Sequence, residues 1–218
     1  MGIKTFLDKI FYPKPERVLG IDLNGDQIKM VQLHLKSNQL PEITDYVVMD
    51  LPETLRNNAY IGESEALANF IGEVINKHGF SVKECTFSLG GRNAFVRGIT
   101  MPPMTKEEMR QAVVWDSAQY VPYEADTYYV SHATYGDLDE EGQQPLILVA
   151  TPKNIVDTLV ETAERLSLHI LKIDIDVLAI HKLMGGEPLD FIMLDLDRTD
   201  YLPTGSARGS KKYSYWHY

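Results

Sequence analysis

The first part of the chain alternates apolar and polar positions in a way that predicts a small antiparallel sheet. Three apolar or alternating stretches are separated by Asn-Gly and Asn-rich turns. They lie at 17–22, 28–35 and 43–49. Side chains of a strand point alternately to its two faces, so we expect a three-stranded meander with one buried face.

A helix is predicted to cover this sheet. Over 63–78 the apolar side chains recur at helical spacing, and Gly79 stands where a helix is expected to end. The short apolar stretch 85–89 predicts a further strand, which Gly90 and Gly91 close.

The middle of the chain predicts an inserted unit with the order β-α-β-β-α-β. Its elements are the strand 94–100, the helix 106–120, the strands 127–135 and 145–150, the helix 153–166 and the strand 169–174. This order can close a small antiparallel sheet with both helices on one face, the ferredoxin-like layout. We therefore expect a self-contained subdomain at 93–174.

The last part of the chain predicts one more helix, with Asp176 as its N-cap, and an apolar strand at 191–194. From Tyr201 onward there is no usable period, and the sequence becomes basic. This tail is either a disordered interaction tail or accidental sequence after a premature end of the frame, and we favour the second. The predicted divisions are an N-terminal amphipathic segment (1–15), a first subdomain (16–92 with 175–197), the insertion (93–174) and an unassigned tail (198–218).

The N-terminal segment carries apolar residues at helical spacing, with charged residues on the other side. The apolar set is Ile3, Phe6, Leu7, Ile10 and Phe11. Such a helix could touch a membrane or a partner; a helix that folds back on its own domain or frays is favoured. The apolar core of this N-terminal segment is too short for a signal peptide, and no later stretch of the sequence predicts a membrane-spanning helix.

Composition narrows the class of protein. A chain of 218 residues, 44% of them hydrophobic, can bury a substantial core. Its net charge of −10 argues against binding nucleic acid through phosphates. A single cysteine, Cys85, makes no internal disulfide, which fits a reducing cytoplasm.

Two stretches could bind phosphate. In 20–33 an apolar strand ends in Asp22, a turn follows, and Lys29 lies on the next strand; the candidate residues are Asp22, Asn24, Gly25, Asp26 and Lys29. An Asp can hold Mg²⁺ while turn amides and a lysine receive phosphate. On spacing alone, an ordinary Asn24-Gly25 hairpin turn is favoured. The stretch 191–200 has the same order, an apolar strand followed by an Asp and turn residues, and its candidate residues are Asp195, Asp197, Arg198 and Thr199.

These segments, in this order, resemble the PilM proteins of type IV pilus machines, which are kin to the division protein FtsA. The resemblance rests on 20–33, 100–123, 173–183 and 194–200. It implies an α+β fold, with an actin-like (ribonuclease H-like) first lobe that carries an inserted ferredoxin-like or SHS2-type subdomain. It also implies that the second lobe is missing.

The resemblance further implies ATP and Mg²⁺ as ligands, with Asp22 and Asp195 near the metal. Asn24 stands where the family tends to have Gly, and Asp26 stands in a Ser position. Asp197 replaces a Gly in the second loop and places a carboxylate where phosphate would approach. We therefore expect weak ATP binding at most, and no hydrolysis.

The partner that the resemblance implies is PilN, a single-span inner-membrane protein whose N-terminal peptide binds between the first subdomain and the inserted one. Val121, Pro122 and Tyr123 are the candidate contacts. The expected role is that of a cytoplasmic adaptor, peripheral to the inner membrane, in pilus assembly or a related competence or type II secretion system, together with other platform proteins.

Two alternatives stay open. Asp195, Asp197 and Thr199 also fit the D-x-D-x-T opening of haloacid-dehalogenase-type phosphohydrolases, with the first Asp as nucleophile. That motif begins its domain and needs a long α/β sheet after it, which the remaining residues do not predict. The other alternative is a remnant that folds but binds neither nucleotide nor partner.

Overall fold

The computed structural model describes residues 15–183, except for 25, 38, 57, 59, 91 and 92. The predicted N-terminal amphipathic segment, the apolar strand at 191–194 and the tail at 198–218 lie outside the described residues. Within the described part, no helix is long and apolar enough to cross a membrane.

Five strands form the first sheet in the order β3-β2-β1-β4-β8. They are β1 (Arg17–Asn24), β2 (Gln27–His34), β3 (Glu42–Asp50), β4 (Glu84–Leu89) and β8 (His169–Ile175). The first three pair antiparallel, which confirms the predicted meander, whereas β4 runs parallel to both β1 and β8. Strand alternation buries one face, with Leu19, Ile21 and Leu23 of β1 at most 1% exposed.

Two helices cover the buried face of this sheet, α1 (Ser64–His78) and α3 (Lys153–Arg165). Each contributes a fully buried leucine, Leu67 from α1 and Leu159 from α3, to a single hydrophobic core. Burying a side chain of this size contributes about 1.5–3 kcal/mol. Helix α1 ends as predicted at Gly79, whose φ of 72° is a left-handed conformation that suits glycine.

Three antiparallel strands form the second sheet in the order β5-β7-β6. They are β5 (Phe95–Met101), β6 (Tyr128–Thr134) and β7 (Gln144–Pro152). Helix α2 (Lys106–Tyr120) covers one face through Met109 and Val113, which form a second core with Leu146 and Leu148 of β7. A capping box between Thr105 and Glu108 satisfies the first turn of α2.

The predicted sheet of the inserted unit is corrected by the structure. Strand β8 does not pair with β5, β6 or β7; it joins the first sheet, where Ser88 of β4 is paired with Asp174. Helix α3 likewise packs on α1 and the first sheet. A parallel neighbour of β4 needs a long crossover that returns over the same face, and α3 provides it because its apolar stripe fits the first core. The second sheet thus has three strands, and its last residue is Pro152 rather than 174.

Helix α3 also attaches the second sheet to the first. The amide of Lys153 donates to the carbonyl of Thr127 at 2.9 Å, and the Tyr129 hydroxyl donates to Asp157 at 2.9 Å. Val96 and Val149 of the second sheet pack against the first core. The two sheets are therefore joined by both apolar and polar contacts along one helix. The last described helix, α4 (Asp176–Leu183), follows β8.

Candidate functional site

The β1–β2 hairpin places the first group of predicted residues at one end of the first sheet. Lys29 pairs with Asp22 across the two strands, and its Nζ lies 3.2 Å from Asp22 Oδ2. Asp22 is paired in turn with Ser88 of β4, and Ser88 with Asp174 of β8. Four polar side chains thus follow one another across the open face of the sheet, opposite the helices.

The turn of this hairpin differs from the predicted Asn24-Gly25 turn. Asn24 is paired with Gln27 as the last residue of β1, so Asn24 belongs to the strand and not to the turn. The Asn24 amide donates to Asp176 Oδ2 at 3.4 Å. A Cβ added to Gly90 would lie 2.6 Å from Asn24 Oδ1. Asn24 therefore bridges the ends of β1 and β4 and the start of α4.

Two carboxylate oxygens at this end of the sheet are buried without a hydrogen-bond partner among the described residues. They are Oδ1 of Asp22 and Oδ1 of Asp26. Buried polar atoms normally have a partner in the protein, in water or in a bound ion, so these two oxygens are candidates for contact with a hydrated cation. Within the described ranges, no group of three or more His, Cys, Asp or Glu residues could hold a metal by itself.

A buried polar cluster holds the chain where it passes from the first sheet to the second. Asn93 is 6% exposed, accepts from the Asn58 amide at 2.9 Å and donates to the Tyr60 hydroxyl at 3.3 Å. Burial raises the pKa of Tyr60 to about 12, so this hydroxyl stays protonated. The cluster fixes the crossing between the two sheets. Neither Asn93 nor Tyr60 was recognised from the sequence, since no motif signals an amide pair that joins distant loops.

The predicted partner residues after α2 differ in their exposure. Val121 is 6% exposed and belongs to the second core, so its role is packing. Pro122 is exposed, and the half-buried Tyr123 packs against Tyr128, with ring centroids 6.0 Å apart. Burial raises the pKa of Tyr123. Of the three predicted contacts, Pro122 and Tyr123 are the ones that reach the surface.

A second surface lies where β6 meets α3. Tyr129 is 47% exposed, and its hydroxyl bonds to Asp157, which raises the pKa of the tyrosine. The ammonium group of Lys153 lies 5.6 Å from the centre of the Tyr129 ring. We call these three residues, Tyr129, Lys153 and Asp157, the seam. The seam offers an aromatic ring and both signs of charge at the junction of the two sheets.

Comparison with known proteins decides the family. A family model described as type IV pilus assembly protein PilM matches residues 20–186, most of the chain. The chain belongs to the PilM family. This match confirms the resemblance to the PilM family, and it includes three of the four sequence segments; the segment 194–200 lies beyond the matched residues.

Solved structures confirm the fold class of this PilM-family chain, α+β and actin-like. A PilM–PilN type IV pilus biogenesis complex has a TM-score of 0.70 at 23% identity and covers 84% of this chain and 55% of that one. The cytoplasmic domain of EpsL, an inner-membrane component of the type II secretion system of Vibrio cholerae, has a TM-score of 0.51 at 11% identity and covers 75% and 58%. The chain thus spans little more than half of either. A comparison with curated proteins gave no significant match.

The described part of this PilM-family chain fits a nucleotide only in part. Asp22 offers an unpartnered oxygen for hydrated Mg²⁺, and Lys29 lies close enough to share phosphate charge. However, Lys29 is already paired with Asp22. Asp195, Asp197, Arg198 and Thr199, predicted to close the site from the other side, lie outside the described residues. Their placement stays a prediction.

Proposed function

We propose that this chain is a PilM-type adaptor that binds the N-terminal cytoplasmic peptide of a PilN-type inner-membrane protein. The single observation that supports this most is the junction of two sheets through α3, with the seam exposed beside it. The match to a protein solved as a PilM–PilN complex supports the same partner class. Through that partner the chain would act in the cytoplasm, at the inner membrane, together with other pilus platform proteins.

The chemistry of the exposed groups suits a short peptide. Tyr129 on the α3 side of the second sheet, and Pro122 and Tyr123 on the α2 side, each offer apolar surface, and aromatic side chains supply large contact area at low entropic cost. Lys153 and Asp157 can meet peptide charges of either sign. Because Tyr129 is already held by Asp157 and Lys153, its ring is ordered before a peptide arrives, which reduces the cost of binding.

Nucleotide binding is a second, weaker part of the proposal. We expect ATP with Mg²⁺ to bind weakly at the β1–β2 hairpin, with Asp22 next to the metal and Lys29 facing phosphate. When bound, Mg²⁺ would neutralise phosphate charge. The negative charge of the Asp26 carboxylate would repel a phosphate group. The Asn24 side chain also fills the space against Gly90, which a glycine at position 24 would leave open. No hydrolysis is expected.

Isothermal titration calorimetry tests the adaptor proposal. The probe is a synthetic peptide with the sequence of the cytoplasmic N-terminal segment of a PilN-type protein from the same organism. We expect measurable binding, and we expect Tyr129→Ala and Tyr123→Ala each to weaken it about tenfold, a loss of about 1.4 kcal/mol. Tyr46→Ala is the matched control, because Tyr46 is an exposed tyrosine of the first sheet, away from the seam.

Two results would count against the proposal. Absence of peptide binding by the folded chain would favour a remnant without a partner. Tight ATP binding without any peptide response would indicate a nucleotide switch instead of an adaptor. Titration with ATP and Mg²⁺ in the same buffer separates these outcomes.

A further inference from the structure

The open face of the first sheet presents an apolar surface over β1, β2 and β3. Ile43, Tyr46 and Val48 of β3 are 63%, 69% and 52% exposed, and Val31 of β2 lies beside Tyr46. We call these four residues, Val31, Ile43, Tyr46 and Val48, the β3 patch. They line an open groove of about 520 Å³ with Gly20, whose missing side chain deepens it. Contiguous exposed apolar surface of this kind usually marks a place where something binds.

The remaining walls of the groove indicate what kind of occupant it suits. Its charged residues already form ion pairs, Lys29 with Asp22 and Lys172 with Asp174. Helix α4 reaches the groove through Ala179 on the side of β4 and β8. The paired charges leave no strong field for a charged ligand over β3, so the free part of the groove suits an apolar surface.

A suitable apolar surface precedes β1 in the same chain. Residues 1–14 carry five apolar residues at helical spacing, Ile3, Phe6, Leu7, Ile10 and Phe11. Three lysines and one aspartate give this segment a net charge of +2, so the rest of the chain carries −12. The segment is therefore attracted to the body of the protein by both apolar burial and charge.

Length and attachment also fit. Pro13 ends the helix at about Phe11; eleven residues as a helix span about 17 Å, and the five steps of β3 from Ile43 to Val48 also span about 17 Å, so such a helix matches the length of the patch. The segment enters at β1, the central strand, next to β2. A short tether gives an effective concentration in the millimolar range, so even a weak contact with the β3 patch would be well populated.

We propose that residues 1–11 fold back as an amphipathic helix and cover the β3 patch. A second copy of the chain would meet the same patch against a net charge of −10 on each partner, which opposes self-association. The proposal is independent of peptide binding at the seam, because the patch lies on the open face of the first sheet and the seam lies beside α3, which covers the opposite face.

Disulfide trapping in the full chain tests this contact. Ile10→Cys combined with Tyr46→Cys places one thiol in the segment and one in the patch; Ile10→Cys with Gln111→Cys, on the exposed face of α2, is the control. Native Cys85 does not interfere, because it is buried and its pKa is raised to about 11. We expect the first pair to form an intramolecular disulfide at least tenfold faster than the control. Equal rates, or disulfides that link two chains, would overturn the proposal.

Hydrogen exchange provides a second readout that needs no new thiol. In the full chain, Phe6→Ser with Phe11→Ser should speed amide exchange in β3 at least severalfold and leave β7 unchanged. A parallel sedimentation experiment uses vesicles of phosphatidylethanolamine and phosphatidylglycerol. Capture of the unmodified chain by vesicles, together with β3 exchange that the double substitution does not alter, would show that the segment binds membrane instead of the patch.

Discussion

The contact between Asn24 and Gly90 gives a prediction whose size follows from the structure. Gly90→Ala would place a Cβ 2.6 Å from Asn24 Oδ1, closer than real Cβ contacts come. The Asn24 side chain must then turn away and lose its 3.4 Å hydrogen bond to Asp176. A lost hydrogen bond costs about 0.5–1.5 kcal/mol, and an off-rotamer side chain costs a similar amount.

An opposing effect makes the prediction specific. Replacing glycine by alanine stabilises the folded protein by about 0.4–1 kcal/mol, because it reduces the conformational entropy of the unfolded chain. This holds where alanine can adopt the native backbone conformation. Gly90 is not among the residues with positive φ, so this gain applies. The net cost of Gly90→Ala should be about 0.5–2 kcal/mol in the natural chain. In an Asn24→Ala background the overlap is gone, and the same change should be neutral or slightly stabilising.

Urea unfolding of the four proteins of this double-mutant cycle measures the coupling. We expect an interaction free energy of about 1–3 kcal/mol between positions 24 and 90. Equal effects of Gly90→Ala in both backgrounds would refute the bridging role of Asn24. Asn24→Gly serves as an additional control, because it removes the side chain without leaving an alternative contact.

Three further predictions concern packing and protonation. Leu159→Ala in α3 should lower the free energy of unfolding in urea by about 2–5 kcal/mol, whereas Val160→Ala, at the more exposed neighbouring position, should lower it little. Equal small effects would contradict the placement of α3 in the first core. Asn93→Ala should cost about 1–3 kcal/mol in the same assay, because it leaves the buried Tyr60 hydroxyl without its donor, and Tyr60→Phe in that background should recover part of the loss. Burial raises the pKa of Cys85 from 9.0 to about 11, so the contribution of the neutral thiol to stability is complete below pH 9 and is lost as the pH rises through 11. Cys85→Ala should therefore flatten the fall in the free energy of unfolding between pH 9 and 11, and an unchanged pH profile would contradict the assignment.

The sequence predicted the local elements well because their signals are local. The alternation in β1, β2 and β4 and the period of α1 each depend on neighbours within a few residues, and the structure has these elements where they were expected. Sheet membership is a different kind of information. The order of elements is the same whether β8 pairs with β4 or with the second sheet, and the outcome depends on which core accepts the apolar stripe of α3.

The site illustrates the same limit. Asp22 and Lys29 could be related from the sequence because a tight hairpin brings them together. The contacts of Asn24 with Gly90 and Asp176 join residues far apart in the chain, so nothing in the hairpin sequence signals them. The family resemblance implies Val121 as a partner contact together with Pro122 and Tyr123, whereas the turn after α2 directs Val121 into the second core. Burial of a single side chain in a turn depends on tertiary packing, which the local pattern does not contain.

The adaptor role is tested most directly by a hydrogen-exchange footprint of the full chain with and without the PilN-type peptide. The account predicts that peptide slows exchange in β6, in the turn that holds Pro122 and Tyr123, and in the first turns of α3, while the β1–β2 hairpin is unchanged. Protection confined to the hairpin, with the seam unaffected, would contradict it.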